Sequence, residues 1–191
     1  LKLIDYAAFF GSVQIFKYLI AEYCELTPKL LLFAIHGRNP EIIHIIEERG
    51  IKPDENLIKD CLKLSIRCHH NELARYILEN YFDENDEDIS SYIFKQSLKS
   101  YNFAFIQIEM INSKYLFDLC KRDYFFFARA ILQANNNIDI NSIISRKPIN
   151  NYLILEKDKT CLFCAIEKSN FEIVQLLLEQ KSIDVNKKCI S

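Results

Sequence analysis

The sequence predicts an all-α fold: about six antiparallel helix pairs stacked in a row, joined by short turns. Three observations point there. Gly and Pro are scarce, at three and four of 191 residues, Trp is absent, and Leu, Ile, Phe and Tyr abound. That balance favours helices over a strand-and-turn architecture. Apolar residues recur three and four apart, which puts a buried stripe on each helix. The same short pattern also returns along the chain, and a helix pair that cannot hide its stripe alone must stack on its neighbours.

The clearest copy is 160–178, TCLFCAIEKSNFEIVQLLL. It resembles the helix–turn–helix of an ankyrin repeat, usually TPLHxAAxxGHxxxVxxLL. Thr160, Leu162, Ala165, Val174, Leu176 and Leu177 fall on the family positions, and Ile183-Asp184-Val185-Asn186 resembles the closing turn. The template then recurs from the N-terminus. Leu3–Ile20 has Ala7, Gly11, Ile15 and Leu19 in register. Leu32–Gly50 has Ala34, Ile42, Ile46 and Gly50. Leu64–Asn80 has Ser65, Leu73 and Ile77. Ile93–Ile111 is anchored by Ser97, and Tyr115–Leu132 by Leu119.

The anchors 7, 34, 65, 97, 119 and 165 are separated by 27, 31, 32, 22 and 46 residues, about 32 on average and close to the ankyrin period. A small anchor residue lets the two helices of a pair approach closely. Polar breaks at Gly11-Ser12, Asn39-Pro40, His70-Asn71, Tyr101-Asn102 and Ser169-Asn170 supply turn and N-cap chemistry. Pro40 suits a first helical turn, where its missing N–H costs nothing.

The N-terminal two-fifths is similar to a large ankyrin-like family of protist proteins, whose domain of unknown function precedes ordinary ankyrin repeats. The resemblance rests on Ala7-Ala8-Phe9-Phe10-Gly11-Ser12, Ala34-Ile35-His36, Asn39-Pro40-Glu41-Ile42-Ile43-His44 and Cys68-His69-His70-Asn71. It implies an ankyrin fold and intracellular protein binding, with no catalytic residue to carry over. The hairpin glycines of ordinary ankyrin repeats are mostly absent, so short turns are expected instead of β-hairpins. Residues 1–135 then hold five divergent pairs, 136–159 an irregular insertion with a short piece at Tyr152–Leu155, and 160–191 an orthodox repeat, all in one continuous solenoid. The acidic run 83–88 reads as a solvated loop, with an acidic docking site as the other reading.

Candidate chemistry is thin. Cys161 and Cys164 have metal-ligand spacing, yet no second pair lies at motif distance. The repeat template puts them at the Pro position and at an exposed position, which explains them without metal. Cys68-His69-His70 invites a nucleophile, but both histidines fall at the inter-helix turn, where an ankyrin histidine hydrogen-bonds the neighbouring repeat. Phosphate-cradling, nucleophile-elbow and zinc-protease motifs are all missing. Neither catalysis, nor a cofactor, nor a metal is expected.

The ankyrin resemblance implies a concave face instead. The positions that would point into it are Phe9 and Phe10, His36, Arg67, Lys99, Lys121 and Arg122, and Lys168, running from aromatic to basic. A protein partner with acidic and apolar groups is expected there, or a regulatory role within a larger enzyme or effector. A net charge of −2 argues against nucleic acid, and no apolar run is long enough for a membrane span. An odd count of seven cysteines fits free thiols in a reducing, intracellular compartment. Neither end looks polar enough to cap a solenoid, so a longer array or a homodimer through the ends or the concave face is expected.

Overall fold

Helices form every regular element longer than an isolated bridge among the described residues, which are 1–22, 24–83, 86–106, 112–134, 138–144 and 158–188 of a computed structural model. They fall into two units, 1–106 and 107–191.

The first unit runs α1 (Leu3–Phe9), α2 (Val13–Ala21), α3 (Leu30–Gly37), α4 (Pro40–Glu48), α5 (Glu55–Arg67), α6 (Asn71–Tyr81) and α7 (Glu87–Ser100), then a 3-10 turn at Phe103–Phe105. α5 shows why these segments are helices. Ile58, Cys61, Leu62, Ser65 and Ile66 are its buried residues, three and four apart on one stripe. The Asp54 side chain accepts from the Leu57 N–H at 2.8 Å and starts the helix. At α4 the Asn39 side chain accepts from Glu41 and Ile42, with Pro40 in the first turn.

First helices pack on first helices: α1 on α3, α3 on α5, α5 on α7. Each of α1, α3 and α5 also packs on its own second helix. The buried core follows that row, with Ala8, Phe16, Leu30, Ile35, Ile42, Ile46, Leu62 and Ile66 among its members. Two glycines set the closest approach. A Cβ on Gly37 would lie 2.2 Å from the Ala8 carbonyl oxygen, and one on Gly11 would lie 2.9 Å from that of Gly37.

The second unit holds α8 (Ser113–Lys121), α9 (Phe125–Ala134), α10 (Cys161–Glu167) and α11 (Phe171–Leu178). α8 packs on α9 and α10, and α11 on α9 and α10. Between α9 and α10 an isolated antiparallel bridge joins Ile144 to Lys159.

All six anchors, Ala7, Ala34, Ser65, Ser97, Leu119 and Ala165, are buried. Four residues after each anchor the backbone is left-handed: Gly11, Arg38, His69, Tyr101, Asp123 and Ser169 have φ of 65°, 54°, 57°, 53°, 61° and 58°. Every non-glycine residue with positive φ among the described residues occupies this position. It ends the first helix and reverses the chain, and in five copies the next N–H donates back to the anchor carbonyl: Ser12 to Ala7, His70 to Ser65, Asn102 to Ser97, Tyr124 to Leu119 and Asn170 to Ala165, at 2.8–3.1 Å. This closure satisfies carbonyls that a helix end otherwise leaves open.

Four expectations need correction. The fourth copy continues with the 3-10 turn in place of a second helix beginning near Asn102, and 107–111 lie outside the described residues. The acidic run is not all loop. The Asp86 side chain caps α7, accepting from Asp88 and Ile89, while Glu87 and Asp88 form its first turn, where negative charge meets the positive helix end. Cys164, assigned to an exposed position, is buried. The polar breaks cap second helices less often than expected: Ser12, His70 and Asn170 make no side-chain cap. The short piece at Tyr152–Leu155 lies outside the described residues.

Candidate partner-binding face

The ends of the first helices carry the candidate residues, and within each unit cross-repeat hydrogen bonds tie neighbouring ends together. His70 Nδ1 donates to the Ile35 carbonyl at 3.0 Å. Asn102 Nδ2 donates to the Ile66 carbonyl at 2.8 Å, and Asn170 Nδ2 to the Cys120 carbonyl at 2.7 Å. Each donor stands five residues after its own anchor, and each acceptor one residue after the preceding anchor. Asn39, in the same donor position, reaches the Gly11 carbonyl at 3.3 Å. His69 works forwards, with Nε2 3.1 Å from the Ser100 carbonyl. Both histidines at the third turn therefore bond to the backbone of neighbouring copies.

On this frame the N-terminal candidates come together. The Phe9 ring stacks on His36 with centroids 3.9 Å apart and planes 17° apart. Phe10 meets Phe9 edge to face at 5.1 Å and is 70% exposed. Phe9 itself is half-buried. Its stacking partner explains why: it lies against the end of α3, and Phe10 is left as the aromatic that solvent reaches.

Arg67 and Lys99 occupy the last turns of α5 and α7 and are exposed. Neither makes an ion pair among the described residues. A cation there also complements the negative end of its own helix, by about 0.3–1 kcal/mol at an exposed site. In the second unit Lys121 closes α8 and is half-buried, whereas Arg122 and Lys168 are the exposed caps of α8 and α10. Beside them the Lys159 ammonium hydrogen-bonds Glu167 and holds its carboxyl below the usual range. Lys159 also lies 5.6 Å from the Phe163 ring centre.

The buried cysteines are set up against reactivity. Cys120 and Cys161 are hydrogen-bonded to each other, and that bond, with burial, holds the Cys120 thiol well above its ordinary value. Burial raises Cys164 too, and pushes Cys61 up to about 12. A nucleophile or metal ligand needs the thiolate, which these surroundings disfavour. Among the described residues no group of three or more His, Cys, Asp or Glu could hold a metal ion, and no helix is long and apolar enough to cross a membrane.

Sequence reading missed a second closing turn. Ile138-Asp139-Ile140-Asn141 repeats the pattern of Ile183-Asp184-Val185-Asn186. In each, the Asp side chain accepts from the N–H two residues on, at 3.0 Å. Asn141 joins the two turns, donating from Nδ2 to Ser182 at 2.7 Å and accepting from the Asp184 N–H at 2.8 Å. The signal was the shared Ile-Asp-x-Asn string, hidden inside a stretch read as irregular.

Comparison with known proteins bears on both units. Residues 21–108 match the family described as Domain of unknown function (DUF3447). Residues 157–190 match the Ankyrin repeat family. Curated proteins and solved structures gave no match. The chain thus contains an ankyrin repeat near its C-terminal end, and upstream of it a domain whose family has no assigned function.

Proposed function

We propose that this chain is a non-catalytic protein–protein interaction module of about six ankyrin-type helix pairs along its sequence, working inside the cell. Its binding residues stand at the ends of the first helices: Phe9, Phe10, His36, Arg67 and Lys99 in the first unit, and Lys121, Arg122 and Lys168 in the second. The observation that carries the reading is the exposed Phe10 ring, seated on the Phe9–His36 stack, in the same row of helix ends as Arg67 and Lys99. Aromatic anchors supply much of an interface's energy, and exposed cations such as Arg67 and Lys99 steer an acidic partner toward it. The repeated backbone closure and hydrogen-bond ladder supply the rigid scaffold that such a face needs.

The test compares protein capture by the intact chain, by Phe10→Ala and by the double variant Arg67→Glu/Lys99→Glu, with helicity checked by circular dichroism. A specific partner should bind the intact chain, weaken on Phe10→Ala and be lost on double charge reversal. Equal capture by all three would overturn the assignment of this face. A homodimer through the same face or the solenoid ends is the second association proposed, and light scattering that shows only monomer across the working concentration range would exclude it.

A further inference from the structure

Between the second helices of the first unit lies a different site. The backbones of α3 and α5 pack closely, whereas those of α4 and α6 stand apart and the two helices are bridged by the side chains of Glu47, Tyr76 and Tyr81. The gap encloses about 600 Å³, within the range of ligand pockets. Pro40, Ile43 and Leu73 give it an apolar lining, with Arg38 and His70 at the turn end and Glu47 and Tyr76 further along α4 and α6.

The charges along this groove are uncompensated in a particular order. Arg38 occupies the left-handed turn before α4, is exposed, and makes no ion pair among the described residues. Among the described residues the Glu47 carboxylate is held by tyrosines alone. Tyr76 donates to its Oε1 and Oε2 at 2.9 and 3.0 Å, and Tyr81 to Oε1 at 3.2 Å. No cation pairs with Glu47 among the described residues. Of the other ionisable side chains close by, His44 lies 3.1 Å from Glu48 and Glu72 pairs with Arg75 at 2.6 Å. The groove therefore offers one open positive charge and one open negative charge, with an apolar wall between them. From Pro40 to Glu47 the helix rises about 10 Å, which is about three residues of extended chain.

We propose that the groove between α4 and α6 binds an extended segment of a partner protein, with an acidic side chain at Arg38, a basic side chain at Glu47 about three residues away, and an apolar residue between them against Ile43 and Leu73. The occupant follows from charge complementarity: a ligand of one sign would meet a like charge at one end of the groove. This site lies between the second helices and the turns before them, uses none of the residues assigned under Proposed function, and does not depend on that face.

Selection of displayed random peptides on the full chain tests it. Peptides sharing an acidic and a basic residue about three positions apart, around an apolar one, should be enriched. Fluorescence anisotropy of the best peptide then compares two variants that preserve local structure. Arg38→Asn removes the charge with a residue that tolerates the left-handed turn, and Glu47→Gln removes the charge but keeps an acceptor for both tyrosines. Each should weaken binding about tenfold, while Arg67→Glu/Lys99→Glu leaves it unchanged. Selection without a shared charge pattern, affinity unaltered in Arg38→Asn and Glu47→Gln, or loss of binding in Arg67→Glu/Lys99→Glu would each overturn the proposal.

Discussion

Ser97 stands where Ala7, Ala34 and Ala165 stand in other copies, and at that position a hydroxyl is a burden. Its Oγ is buried and has no hydrogen-bond partner among the described residues. An unsatisfied buried polar atom costs free energy that a methyl group does not. Ser97→Ala is therefore expected to raise stability by about 1 kcal/mol, measured as a higher urea midpoint with unchanged slope. Ser65 is the control, because its Oγ donates to the Cys61 carbonyl at 3.0 Å, and Ser65→Ala should gain nothing. A gain of equal size at both positions would mean that the orphaned hydroxyl is not the cause. The anchor spacing made the burial of Ser97 legible in the sequence. The fate of its hydroxyl was not, because that depends on atoms of other helices.

At the scale of the element, the turn ladder distributes one task between two residue types. His70, Asn102 and Asn170 each donate to a carbonyl of the preceding copy, so His70→Asn should keep the bond. It should also remove a pH dependence. Burial, and next the Arg38 guanidinium, hold the His70 pKa below its ordinary value. The folded chain thus binds this proton more weakly than the unfolded chain does. Above about pH 6.5 the ring is neutral in both states, and as pH falls below that value through the folded-state pKa the unfolded chain gains the proton first and stability is lost. The fall in melting temperature between about pH 7.5 and pH 5 should be smaller in His70→Asn than in the wild type. Equal falls would show that His70 does not contribute. The sequence located both histidines at the turn and their bonds to neighbouring backbone, but the directions, His70 backwards and His69 forwards, are properties of the stack.

For the whole molecule, thiol accessibility reports on both units in one experiment. Among the six described cysteines, Cys61, Cys120, Cys161 and Cys164 are buried, while Cys24 and Cys68 are half-buried. Iodoacetamide at about pH 8 should modify Cys24 and Cys68 in the folded protein and the other four only after unfolding, since burial shields all four sulfurs and raised thiol pKa values further suppress the thiolate at Cys61, Cys120 and Cys164. Peptide mapping by mass spectrometry reads the order. Early labelling of Cys61 would contradict the packing of the first unit, and early labelling of Cys120, Cys161 or Cys164 that of the second.

The repeating register is what the sequence determined by itself. Small or apolar anchors, apolar residues three and four apart and polar breaks are local patterns, and each carries its own physical consequence of helix, buried stripe or turn. The six anchors are buried and the chain reverses four residues after each of them for that reason. Tertiary structure alone decided the rest. Phe9 meets His36 from the next copy along the chain, the turn at 138–141 is tied to 182–184 by the side chain of Asn141, and the fourth copy bends into a 3-10 turn after Tyr101. The groove between α4 and α6 is the plainest case. It exists because the backbones of two helices with good stripes of their own stand apart while α3 and α5 pack closely, so that α4 and α6 are bridged by Glu47, Tyr76 and Tyr81, and no local pattern in either helix records that spacing.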